Sequence, residues 1–103
     1  TEVKGRLEMS AAGAEKASEE VSIKNRLGLH ARPAAMFVRE ANRHRCEIHV
    51  EKDGETINGK SIMGLMMLAA GMGSKIQLKA IGPGAETAIQ SLRELIERKF
   101  DEE

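Results

Sequence analysis

The sequence predicts a two-layer α+β fold, with helices packed on one face of a four-stranded sheet. Three observations carry that prediction. Polar and apolar residues alternate in separate short runs, which is the period of half-buried strands. Two longer stretches repeat their apolar residues at intervals of three and four, the mark of an amphipathic helix. The runs follow the order strand, helix, strand, strand, helix, strand, helix, which one sheet with a single helical layer accommodates. At 103 residues the chain suits one domain with one core.

Residues 1–19 are rich in Ala, Glu, Lys and Ser and offer little to bury, so they read as a flexible tail, or else as a frayed helix. The domain is then expected over 20–103. Residues 20–24 alternate and form the first strand, with Val21 and Ile23 inward. Residues 25–29 are a loop with Gly28 as its joint. From Arg32 the period changes: Ala34, Phe37, Val38 and Ala41 share one helical face, and Met36 lies off it, expected exposed.

Cys46, Ile48 and Val50 point inward along the second strand, and Asp53-Gly54 is a strong hairpin signal. Ile57 is the inward residue of the short return strand. Ser61 opens a short helix over about 62–68, which Gly71 and Gly73 are expected to end. Residues 74–81 form the last strand, burying Ile76, Leu78 and Ala80. After the Gly82-Pro83-Gly84 turn, Ala88, Ile89, Leu92, Leu95, Ile96 and Phe100 form the stripe of the final helix, with Arg98 and Lys99 in its last turn. The other face of the sheet is expected polar: Ser22, Glu47, His49, Glu51, Gln77 and Lys79.

Composition excludes some functions. The chain has no Trp or Tyr and two Phe, which argues against a nucleic-acid binder built on aromatic stacking. Its formal net charge is zero, so no global field recruits DNA or a membrane. Locally, Lys24, Arg26, Arg32, Arg39, Arg43 and Arg45 face only one acid, Glu40, in the same stretch. This is either a solvated helix face or a basic docking patch. The single cysteine, Cys46, has no partner for an internal disulfide and reads as a core residue. The sequence shows no signal-peptide pattern, and its longest uncharged run, 61–74, is too short and Gly-rich to span a bilayer. A cytoplasmic location without membrane insertion is expected.

The chemistry concentrates at Gly28-Leu29-His30-Ala31-Arg32-Pro33-Ala34-Ala35-Met36-Phe37-Val38. Pro33 fits the first turn of a helix, where its missing N–H costs nothing. His30 therefore caps that helix or stands just before it, although histidine is a poor cap. A helix start offers free N–H groups and the positive end of a dipole, both of which favour an anion. The same field disfavours an imidazolium, so a neutral, nucleophilic ring nitrogen is expected there. Arg32 adds a permanently charged fork for phosphate oxygens. The set suits taking a phosphoryl group on imidazole and passing it on. The competing reading is an inert capping variant. His44 and His49 have no metal-ligand spacing with His30, and neither a metal nor a cofactor is expected.

This segment, intact over GLHARPAAMFV, together with the order of elements from about Val21 to Phe100, resembles the histidine-containing phosphocarrier family (HPr) of the bacterial phosphotransferase system. The resemblance implies an open-faced β-sandwich, βαββαβα, with an antiparallel sheet in the order 1-4-2-3 covered on one face by three helices. It implies that His30 accepts phosphate on Nδ1 from Enzyme I, with Arg32 beside it, and that the loaded carrier donates to the A domains of sugar-specific Enzyme II. The chain would be a phosphoryl carrier rather than a turnover enzyme.

Gly59-Lys60-Ser61-Ile62-Met63-Gly64-Leu65-Met66 is the second informative run. Ser61 is a good N-cap. The run resembles the HPr type whose serine is phosphorylated by the ATP-dependent HPr kinase/phosphorylase, which implies a regulatory site at Ser61 and a possible transcription-regulator partner. Ile62, Met63 and Met66 would form an apolar patch beside His30, suited to several partners because methionine adapts its shape. Arg32, Arg39 and Lys60 would rim that interface, with Ala35 and Met36 adding contact area. Leu27, just before Gly28, departs from many sugar-system members, so a nitrogen-branch regulator is an alternative. A non-catalytic ferredoxin-like binding module is the alternative from another class.

Overall fold

The computed structural model describes residues 6–9 and 15–102. In chain order these form β1 (Arg6–Met9), β2 (Glu15–Ser22), α1 (Ala31–Ala41), β3 (Glu47–Lys52), β4 (Glu55–Asn58), α2 (Ile62–Met67), β5 (Lys75–Ile81) and α3 (Ala85–Glu97). The sheet runs β1-β2-β5-β3-β4, and every neighbouring pair is antiparallel. Without β1, this is the expected four-stranded sheet in the order 1-4-2-3.

The start of the sheet corrects the expectation of a tail through Glu19. β2 begins at Glu15 and pairs with β5 from Lys16↔Ile81 to Ser22↔Lys75. Ala17, Glu19 and Val21 alternate as its buried positions. Arg6–Met9 then pairs with Glu15–Ser18 as an added edge strand. Ala, Glu and Lys have low strand propensity, and pairing with β5 overrides it. Glu19 is buried beside Arg93 of α3, with Arg93 Nε 3.2 Å from Glu19 Oε1, an ion pair whose angles fall short of a hydrogen bond. Residues 1–5 and 10–14, within the segment read as a tail, and Glu103 lie outside the described residues.

The β3–β4 hairpin turns on Asp53 and Gly54, with φ of 52° and 85°. Two successive positive φ values give the twist that a two-residue hairpin needs. The helices form one layer. Ala34, Phe37, Val38 and Ala41 of α1 are buried, as are Ala88, Ile89, Leu92, Leu95 and Ile96 of α3, all packed against Val21, Ile48, Val50, Ile76 and Leu78 of the sheet. Leu65 and Leu68 add a contribution from α2. Met36, expected exposed, is half-buried and packs against this core, and Ile57 does the same. The opposite face of the sheet is polar, with Lys79 Nζ donating to Glu51 Oε1 at 2.7 Å.

Two helix ends differ from expectation. α2 stops at Met67, and the residue that takes the left-handed conformation is Ala69 (φ 53°), ahead of Gly71 and Gly73. α3 stops at Glu97, so Arg98 and Lys99 do not lie in its last turn. Instead Lys99, Phe100 and Asp101 all have positive φ and form a short left-handed turn. Phe100 stays fully buried, but it reaches the core from that turn rather than from the helix.

Candidate functional site

His30 is the N-cap of α1, with extended backbone (φ −79°, ψ −171°). Its ring makes no capping hydrogen bond, as expected of a side chain that holds no oxygen. Its own amide donates to the Gly28 carbonyl at 2.9 Å, and its carbonyl accepts from Ala34 at 3.0 Å. Pro33 has no N–H to offer, so the orphan donors of this helix start are the amides of Ala31 and Arg32. Among the described residues neither has a hydrogen-bond partner.

The loop before His30 is held from two sides. Leu29 donates to the Ala70 carbonyl at 2.9 Å. Gly28, at φ 72°, lies so close to Ala70 and Gly71 that no Cβ fits there. Asn25, fully buried, donates through Nδ2 to the Gly28 carbonyl at 2.8 Å and to Glu102 Oε1 at 3.0 Å. The His30 side chain keeps 37% of its surface exposed, so the ring is fixed yet open to an incoming group. Its Nε2 lies 3.0 Å from Glu102 Oε2. Among the described residues Nδ1 has no partner.

Arg32 is exposed, in the first turn of the same helix, and its guanidinium makes no ion pair to the described residues. An open imidazole nitrogen, two unpaired amides and a free guanidinium thus share one helix start. The arrangement can hold a phosphate and place a nucleophilic nitrogen next to it.

α2 packs beside α1 and carries the second group of residues. Ser61 is its N-cap, and its Oγ accepts from the Gly64 amide at 3.0 Å. Ile62, Met63 and Met66 are 43%, 72% and 44% exposed, an unusual load of apolar surface for so short a helix. Ala35 and Met36 are half-buried. Lys60 is only partly exposed, and its Nζ is tied to the His44 carbonyl at 2.8 Å, which holds its charge to one place rather than leaving it to swing along a rim.

Three features went unseen in the sequence. Leu27 and Met72, both in loops, are also exposed apolar residues. Nothing in a loop's composition marks such a residue as exposed. Glu102 meets His30 across 72 residues of sequence, a contact that no local pattern marks. Asn25 looked like an ordinary loop residue, and only the fold shows its side chain buried.

The family model described as the PTS HPr component phosphorylation site matches residues 17–98. The chain belongs to the HPr family. Within it, the phosphocarrier protein HPr of Pseudomonas aeruginosa is 48% identical over 84 residues, covering 81% of this chain and 93% of that protein. The HPr-like protein Crh of Halalkalibacterium halodurans is 51% identical over 81 residues, covering 79% of this chain and 96% of that one. Among solved structures, HPr-C-His from Thermoanaerobacter tengcongensis superposes with a TM-score of 0.81 at 49% identity, covering 84% of this chain and 97% of that chain. This chain therefore has the HPr fold with one further strand, β1, at the β2 edge. Among its described residues no helix is long and apolar enough to cross a membrane.

Proposed function

We propose that this chain is the phosphocarrier of a phosphoenolpyruvate-dependent phosphotransferase system, taking a phosphoryl group on His30 from Enzyme I and giving it to Enzyme II A domains in the cytoplasm. The observation that carries this reading is the helix start itself: a half-exposed imidazole with Nδ1 open, beside the unpaired amides of Ala31 and Arg32. The amides, the helix dipole and the Arg32 guanidinium all favour the anion that arrives. A carrier needs no cleft that encloses its cargo, and this site is open. The methionine-rich surface of α2 supplies an adaptable docking face, which suits a protein that must meet several partners in turn.

The relay is tested by mixing the purified chain with phosphoenolpyruvate, Enzyme I and an Enzyme II A domain. Phosphate should appear on this chain and then move to the A domain. A chain that loads but cannot unload would retain the acceptor chemistry and lose the carrier role.

A regulatory role at Ser61 is supported by its position as the N-cap of α2, beside an exposed apolar patch. Phosphate on Ser61 would sit at a helix start, where negative charge is tolerated, and beside the exposed Ile62, Met63 and Met66. It would then oppose docking of an acidic partner without unfolding the helix. HPr kinase/phosphorylase is the modifying enzyme under this reading, and a transcription regulator is the partner of the modified form.

A further inference from the structure

Three successive non-glycine residues in the left-handed region are rare. Lys99, Phe100 and Asp101 have φ of 59°, 53° and 59°. Each costs about 1–2 kcal/mol relative to right-handed backbone, so packing around them must hold the turn. One anchor is Phe100, buried in the core. The other is Glu102, whose side chain is 16% exposed and spans two partners: Oε1 accepts from buried Asn25, and Oε2 stands 3.0 Å from His30 Nε2. The turn thus brings a carboxylate back against one edge of the His30 ring.

The chemistry of that contact is restrictive. A carboxylate at neutral pH only accepts, so the hydrogen between the two groups belongs to Nε2. A neutral imidazole carries one N–H, and with that hydrogen on Nε2 the lone pair is on Nδ1. Asn25 fixes the carboxylate from the other side, so the ring cannot rotate freely without giving up the bond. Arg26 and Arg32 line the neighbouring cleft together with Leu27, Asp101 and Glu102.

We propose that Glu102 is a positioning residue that holds His30 in its Nε2–H tautomer and so makes Nδ1 the nitrogen that takes the phosphoryl group. This rests on the reading of His30 as the acceptor. The Nδ1 lone pair forms the bond to phosphorus. The bond from phosphorus to the donor atom breaks, and its electron pair leaves with the donor. No proton has to leave Nδ1, because none was there. The ring gains positive charge in this step, shared with Nε2–H, and that charge faces the Glu102 carboxylate. The contact therefore strengthens as the group arrives.

Nitrogen NMR on the full chain, at a pH where the ring is neutral, reads the tautomer directly. The unaltered chain should show His30 protonated on Nε2 alone. Glu102→Ala should show a mixture with an Nδ1–H form and should accept phosphate from Enzyme I roughly tenfold more slowly, the smaller end of the loss seen when the partner that orients a metal-bound histidine is removed. Glu102→Gln, whose amide oxygen still accepts, should restore the single tautomer and recover part of the rate. A purely structural role would leave the ring signature of a folded variant unchanged. An unchanged tautomer in Glu102→Ala overturns the proposal, and so does a changed tautomer with an unchanged rate. If the unaltered chain took no phosphate on His30, the acceptor reading would fall separately, while the tautomer comparison would still decide what Glu102 does to the ring.

Discussion

The amide of Leu29 donates to the carbonyl of Ala70 at 2.9 Å, and this bond ties the loop that presents His30 to the loop that follows α2. The junction is tight. A Cβ on Gly28 would collide with the Ala70 carbonyl oxygen and approach the Gly71 Cα to 2.8 Å.

Gly28→Ala should therefore be costly twice over, through a left-handed φ of 72° and through a backbone collision that no side-chain rotation relieves. The two together should remove about 2–4 kcal/mol of stability. A denaturant melt measures the loss. The variant should also load phosphate more slowly, because the loop that sets His30 has moved.

The opposite change should help at Ala69. It is exposed and holds φ 53° where α2 ends. Glycine adopts that conformation without penalty but loses more backbone entropy on folding, so the gains and costs partly cancel. Ala69→Gly should raise stability by about 0.5–1 kcal/mol. A lowered melting temperature would show that Ala69 is not strained in solution.

At Ser61 structure and regulation should separate. Ser61→Ala removes the bond from the Gly64 amide and should cost about 1 kcal/mol. It should abolish ATP-dependent labelling by an HPr kinase and leave labelling through Enzyme I in place. Retained ATP-dependent labelling would move the regulatory site elsewhere.

Cys46 should be slow to react. Burial pushes its thiol above the ordinary range, and the Lys60 charge only partly opposes this. The folded chain should resist alkylation near neutral pH and react fully once denatured. The folded thiol keeps its proton at a pH where the unfolded one has lost it. The unfolded state then binds fewer protons, so this group should lower stability as pH rises past the ordinary thiol range.

Most of the fold was legible because period alone separates strands from helices. Cys46, Ile48 and Val50 had to face one way, and Phe37 and Val38 had to share a helical stripe. The sequence was silent where long-range pairing decides the outcome. Lys16, Ala17 and Ser18 became a strand because Ile81, Ala80 and Lys79 lie opposite them, a fact that their own propensities oppose. The site divides the same way. His30 and Arg32 announce themselves through Pro33 and the helix start, which are neighbours in sequence. Glu102 and Asn25 matter only because a left-handed turn brings Glu102 back to the loop before α1, and no local pattern encodes that contact.

The proposed carrier role turns on the ring at the start of α1. Phosphoenolpyruvate and Enzyme I should place acid-labile phosphate on the unaltered chain, mapped to His30, and none on folded His30→Ala. Acid-labile phosphate on that folded variant, in amounts matching the unaltered chain, would contradict the account.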